Sequence, residues 1–534
     1  MNAIPKRLWL CAAFFLAVGL CGCMKLGPDF KRPGVQTYDS WSEDGTDGLS
    51  TRLPVQNEWW EVFGDPELAR LVRTAFDSNL PLRVAGLRVV AGRAQLGIAV
   101  GELYPQSQAA SGGYTYTKES RLGPTWPQPS TESKSTSPDQ VWQNSVALSA
   151  AWELDFWGKY RRNIESADAA MQASAADYDN ALVSLAGDVA RTYLDLRVNQ
   201  AQLDIARQNV ELESEGLKIA EARFRYGATS ERDVQQAKTM LLSTEATIPG
   251  FVSAIKKNRH ALSVLLGLPP NQAPEGLSES KGIPAPPWEI AVGVPADLLR
   301  RRPDVRAAEF AAMAQCAQIG VAKADLFPSF SLVGSIGFLA SNVGVFKLSE
   351  LLSQKGFTAQ FAPQFSWNLF NYGRIIDNVR VQDAKFQKLL IQYQQTVLTA
   401  LREVEDALAA YIGASAQVVS LVKAADAAKR SAELAFIQYS EGKTDYTTVL
   451  VAQQQQLKQQ NDLVQTQGQV ATSLVALYKA LGGGWEVRQG MPYVPEDVRR
   501  EMEKRTWWGR QIRENPEKIT DPQKRNLLWY APDM

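Results

Sequence analysis

The chain has 534 residues and carries 57 Lys and Arg against 57 Asp and Glu, so it has no net field that would hold nucleic acid. A single histidine, His260, rules out zinc sites built on several histidines. The length allows several ordinary domains or one very elongated body.

From the N-terminus, Lys6 and Arg7 precede an apolar run from Leu8 to Leu20. It is too short to span a bilayer comfortably and reads as a secretory signal over residues 1–22. Its end, Leu20-Cys21-Gly22-Cys23, resembles a bacterial lipobox with Cys23 as the lipid acceptor. Cys21 suits the pattern less well because the bulky Leu20 precedes it. By resemblance to bacterial lipoprotein sorting, Met24 in place of Asp implies the outer membrane. A plain signal peptide with incidental cysteines is the alternative. With Cys23 acylated, Cys316 is the only other mature cysteine, and no intramolecular disulfide is expected. No later run of about 20 apolar residues reads as a membrane helix.

Beyond a lipidated segment at 23–58, the chain repeats itself with a period of about 215 residues, far above the 20–50 of solenoids. Trp157-Gly158-Lys159 returns as Tyr372-Gly373-Arg374, Gly227 as Gly442, and Leu266-Gly267 as Leu481-Gly482. The stretch from Gln95 to Pro105 returns, slightly offset, from Gln318 to Pro328. Two units follow, at 59–270 and 271–485. The first predicts strands at about 107–118 and 141–154 and a helical hairpin over 159–267. The second predicts strands at about 328–340 and 357–370 and a hairpin over 374–482. A tail occupies 486–534.

Strict alternation carries the strand assignment: Phe330, Leu332, Ile336 and Phe338 alternate with Ser329, Ser331, Ser335 and Gly337. Pro363 is awkward there, since it cannot donate to a ladder. Between the first two strands, the Ser/Thr/Pro-rich stretch from Lys118 to Pro138 reads as a long surface loop. No proline occurs between Pro138 and Pro249 or between Pro363 and Pro492, and Phe386, Leu390, Tyr393, Val397, Leu401, Val404, Leu408 and Tyr411 step by four or three. A helix from Lys159 to about Tyr226 would be roughly 100 Å long at 1.5 Å per residue. Gly227 and Gly442 supply left-handed caps, and Ser230 or Asp445 can cap the return helices.

Four strands are too few for a soluble sandwich of about seven. They also cannot close a membrane barrel, for which about eight is the minimum. An open edge in lipid would leave backbone groups unpaired, so either the strands are soluble or several chains complete one barrel.

These features resemble the TolC-like outer membrane factors, specifically NodT/OprM-type efflux lipoproteins. The signposts are Gly27-Pro28-Asp29-Phe30-Lys31-Arg32-Pro33, Trp59-Trp60 with Phe63-Gly64-Asp65-Pro66, and Leu298 to Glu309, which contains Arg302-Pro303-Asp304-Val305. The resemblance implies a mainly α protein with membrane β-structure, in which a β-β/long-hairpin unit is duplicated. It implies a homotrimer with a 12-stranded outer-membrane β-barrel continuous with a periplasmic α-helical barrel. It further implies a passive exit duct, lipid-anchored and set in outer-membrane lipid. A periplasmic adaptor and an inner-membrane transporter of the RND type would open it and drive transport. No cofactor is implied beyond the lipid on Cys23. Type I secretion is a second role for the same architecture, and a pore-free periplasmic coiled-coil or adaptor lipoprotein is a third reading.

In the same pattern the hairpin tips close the tunnel. Asp233 and Tyr439 match a phenol–carboxylate lock, whose removal would raise conductance. Here the chain departs from the family, which often carries acids: it reads Thr447, Thr448 and Val451, so a more apolar, steric and hydrogen-bonded gate is expected in place of an acidic ring. Gly227, Ser230, Gly442 and Asp445 fall at the positions that would meet the adaptor. Other motifs read as structural. His260 suits a surface helix, and the run Gln453–Gln456 suits a polar helix face. Glu153 and Asp155 fit a strand end better than a glycosidase pair. The tail, with Trp507, Trp508 and Trp529, has no assigned role.

Overall fold

The computed structural model describes residues 24–34, 57–118, 140–272, 301–342 and 351–509, with short stretches at 38, 40–43, 49–50, 274, 276–277, 279–286, 290–291 and 512. The signal segment with Cys21 and Cys23, most of the loop after Lys118, Leu298 to Arg300 and Trp529 lie outside the described residues.

A one-turn helix at Trp59–Phe63 leads into α1 (Pro66–Ser78) and α2 (Leu80–Gly101). Strands β1 (Ser107–Lys118) and β2 (Gln140–Leu154) follow. Helix α3 (Lys159–Arg225) then runs unbroken for 67 residues, returning as α4 (Glu231–Glu245) and α5 (Ile248–Leu265). In the second half come α6 (Pro303–Ala324), β3 (Ser329–Ser341), β4 (Phe357–Ser366), α7 (Arg374–Ser440), α8 (Tyr446–Ala480) and α9 (Glu496–Arg505). Helix α7 also has 67 residues. At 1.5 Å per residue both long helices reach about 100 Å.

The halves differ where proline differs. Pro249 sits in the first turn of α5, where its missing N–H is tolerated, and it splits the first return arm in two. The second return arm has no proline and stays one helix of 35 residues. Strand β4 stops at Ser366, four residues short of the predicted 370. Trp367 instead turns its indole N–H to the Leu326 carbonyl at 3.0 Å.

The strands form one antiparallel meander in the order β1-β2-β3-β4. Opposed residues share a face, so the register sorts the side chains. Trp152, Leu332 and Pro363 lie in one row, as do Leu148, Ile336 and Ala359, and Val146, Phe338 and Phe357. The other face carries Glu153, Ser331 and Gln364, then Ser149, Ser335 and Gln360. One face is therefore apolar and the other polar. Pro363 falls on β4, an edge strand of the protomer's sheet, where its missing donor is tolerated.

Helix α3 is the spine. It packs on α2, α6 and α8 and against its own return arms, and α7 packs on α6 and α8. The largest core cluster lies near mid-length, around Trp59 and Trp60, both fully buried. Trp59 stacks on Tyr478 with centroids 5.4 Å apart. Pro303 opens α6, and Arg302 just before it ties together the two arms of the second hairpin: its guanidinium donates to the Ala480 carbonyl at the end of α8 at 2.7 Å and pairs with Glu403, near mid-length of α7, at 2.7 Å.

The N-terminal strap starts where the sheet becomes helix. Leu26 N–H donates to the Trp157 carbonyl at 3.1 Å, Asp29 pairs with Arg162 at 2.8 Å, and Arg32 grips Glu309 with two bonds of 2.6 and 2.5 Å. Asp155, at the same junction, accepts from the backbone N–H of Tyr160 and Arg161 and from the Arg161 guanidinium. It is thereby committed to the strand-to-helix turn. His260 lies exposed on α5.

Candidate functional site

The two hairpin tips end in the same backbone device. Gly227 and Gly442 take φ of +73° and +79°, a region that favours glycine. The following N–H, of Ala228 or Lys443, reaches back to the Arg223 or Gln438 carbonyl at 2.8 Å in both tips. Asp445 caps α8, accepting from the Thr448 N–H at 3.2 Å and its hydroxyl at 2.9 Å. Ser230 holds the equivalent place before α4 but makes no side-chain cap; its hydroxyl donates to Asp233 at 3.3 Å instead. Both Ser230 and Asp445 are exposed at their tips.

Behind the turns, Ala220, Ala237, Ala435, Tyr439, Tyr446 and Val449 pack into one apolar cluster. It joins α3 and α4 of the first hairpin to α7 and α8 of the second. Tyr439 is 1% exposed and meets Tyr446 edge-on, with centroids 5.2 Å apart. Thr448 and Val451, three residues apart, share an exposed face of the first turns of α8, with Thr447 half-buried beside them.

Asp233 is buried beside Tyr439, but no hydrogen bond joins them in this structure. Asp233 spends its oxygens inside its own turn, on the hydroxyls of Thr229 and Ser230, with Arg232 at 3.6 Å. Tyr439 is met instead by Arg223 of α3. The guanidinium donates to the Tyr439 carbonyl and lies over the ring, 4.6 Å from its centroid. Burial pushes the Tyr439 phenol up, opposed by Thr229 and Arg223, with Asp233 adding to the rise.

Sequence reasoning missed Arg223. The signal available was a break in the duplication: four residues before the tip glycine stands Arg223 in one half and Gln438 in the other. Gln453 and Gln456, read as a polar face, are buried at 6% exposure each. Helical spacing alone does not separate a buried polar seam from a wet face.

A two-faced sheet with open edges, continued by two hairpins of about 100 Å, defines an outer-membrane channel protein. The model of the family described as outer membrane efflux protein matches residues 71–268 and 294–483. The chain is 33% identical over 487 residues to the solvent efflux pump outer membrane protein SrpC of Pseudomonas putida, covering 89% of this chain and 98% of that one. It is 32% identical over 479 residues to nodulation protein T of Rhizobium leguminosarum bv. viciae, with 89% and 93% covered. The solved outer-membrane channel OprN matches with a TM-score of 0.78 at 32% identity, over 86% of this chain and 99% of that one. The chain belongs to the outer membrane efflux protein family, and it serves in the outer membrane as the exit duct of a tripartite efflux system.

Proposed function

We propose that three copies of this chain close a 12-stranded barrel through which cargo leaves passively, with the hairpin tips as its periplasmic gate. The observation that carries this reading is the sheet. Its apolar face is exposed, with Phe361 at 74% and Phe365 at 73%, and the outer edges of β1 and β4 have no strand partner among the described residues. In hydrocarbon an unpaired edge costs several kcal/mol per backbone group, so closure by sister copies is required. Helix α7 supports the same assembly: Ile376, Val381, Ile391, Leu398, Val419 and Val422 stand exposed along it, an apolar row for a neighbouring chain.

Thr447, Thr448 and Val451 line the constriction in this reading. Gly227, Ser230, Gly442 and Asp445 present the tips to a periplasmic adaptor and an inner-membrane transporter of the RND type, which supplies the energy. Cys23 carries the lipid. The strap supports that anchor, because Lys25 and Leu26 lie against Gly158 and Trp157, where the sheet ends and α3 begins. No other cofactor is invoked.

Purification from outer membranes, with a native mass and planar-bilayer recording, tests the reading. A trimer that conducts ions is expected; a compact water-soluble monomer overturns it. The two faces give a sharper test. Phe361 pairs opposite Gly334 near the middle of β4. Phe361→Arg places a charge on the lipid face, at about 2–4 kcal/mol per chain near the bilayer centre. Loss of heat-resistant trimer on gels is expected for Phe361→Arg, whereas Gln360→Arg, on the polar face, should assemble normally.

A further inference from the structure

The tips pose a physical problem. Helices α3 and α7 both run from the sheet toward the tips, so their C-termini arrive side by side. Each carries unsatisfied carbonyls and the negative end of a helix dipole. Two like ends held together repel, and a cation between them removes the repulsion.

Arg223 stands at that point. It lies in the last turn of α3, and its guanidinium crosses to the last turn of α7, donating to the Tyr439 carbonyl. The same group stacks over the Tyr439 ring at 4.6 Å and lies 3.5 Å from where a Cβ on Gly442 would be. It is half-buried, so water screens it less than an exposed tip residue. By contrast, the hydrogen bonds of Asp233 all stay within its own hairpin turn.

We propose that Arg223 is the latch that holds the second hairpin tip against the first and keeps the duct closed. The inference rests on the reading of the tips as a gate. It assigns closure to a guanidinium acting on a helix end and a ring face, in place of a phenol–carboxylate bond. Opening then requires the guanidinium to leave the end of α7. A competing acidic side chain from a docked adaptor would draw it away.

Single-channel recording of the full-length trimer decides this, with Arg223→Gln, Arg223→Lys, Tyr439→Phe and Asp233→Asn. Arg223→Gln is expected to raise mean closed-state conductance on the order of tenfold, since it loses both the charge on the helix end and the cation–π contact. Arg223→Lys keeps a charge without the planar fork and should fall between it and wild type. Tyr439→Phe keeps the carbonyl and the ring, and should match wild type, as should Asp233→Asn. Circular dichroism and trimer mobility check that each variant assembles; if Arg223→Gln does not, the Lys variant and Tyr439→Phe still decide. Raised conductance in Tyr439→Phe or Asp233→Asn, with Arg223→Lys unchanged, overturns the latch while keeping the gate. Wild-type protein that forms neither trimer nor pore overturns the gate reading itself.

Discussion

Replacing Asp179 with alanine is expected to destabilise the protomer by about 3–5 kcal/mol and to expose the C-terminal segment to protease. Asp179 sits on α3 with its side chain 2% exposed, and the Arg488 side chain is 9% exposed. Nε and one terminal nitrogen of Arg488 both reach Asp179 Oδ1 at 2.7 Å, and Arg306 of α6 approaches Oδ2 at 3.7 Å. The Arg488 plane also lies 4.5 Å from the Tyr493 ring centroid and 5.6 Å from that of Tyr178. Alanine would leave a buried guanidinium with no counter-charge, which costs more than the pair ever contributed. The control is the apolar double variant Asp179→Leu with Arg488→Met, expected to recover most of the loss because no charge then remains buried. Thermal melts and limited trypsin digestion after residue 488 provide the readout. A single variant as stable and protease-resistant as wild type would mean the segment is held by other contacts.

That triad also marks where reading the sequence stops. Asp179, Arg306 and Arg488 belong to three distant segments, and nothing in the local pattern of any of them announces the other two. The same holds for Gly86, where a Cβ would lie 2.0 Å from the Tyr493 carbonyl, so the tail docks against α2 at a place only glycine permits. Local chemistry was legible. The proline-free long arms, the tip glycines and the strict alternation of β3 each follow from a rule acting over a few residues, and the duplication let one half check the other. The split return arm shows the limit of that check, since Pro249 has no counterpart in the second half. At the tips, resemblance singled out Asp233 and Tyr439. The partner that each takes depends on how two hairpins pack, which spacing along one helix does not encode.

Raising the pH from about 4.5 to 8 should loosen the hairpin seam by roughly 2 kcal/mol, and Glu213→Gln should abolish that dependence. Glu213 lies on α3 at 1% exposure. Its Oε1 accepts from the Thr244 hydroxyl of α4 at 3.0 Å, while Oε2 has no partner among the described residues. On the α8 side stands Tyr446, whose buried phenol likewise has no partner among the described residues. The charged group acting on Glu213 is another acid, Glu245. Burial therefore pushes Glu213 up from the ordinary carboxylate range to about 7, opposed by the Thr244 bond and reinforced by Glu245. The sign follows from the raised value. Below about 4.5 the group is protonated whether the seam is packed or open, and packing carries no penalty. Between there and about 7 the open form releases its proton more readily than the packed form, so stability falls as pH rises. Above about 7 the full loss persists, because the packed seam must hold an unpaired carboxylate. Amide exchange along α4 and the start of α8 should report this directly: protection in the wild type drops from pH 5 to pH 8, and Glu213→Gln holds the pH 5 level throughout. Parallel pH slopes in the two proteins would show that the acid is hydrated in the folded duct. Because the seam joins the first hairpin to α8, whatever packing it loses at high pH is lost between the two tips whose separation opens the pore.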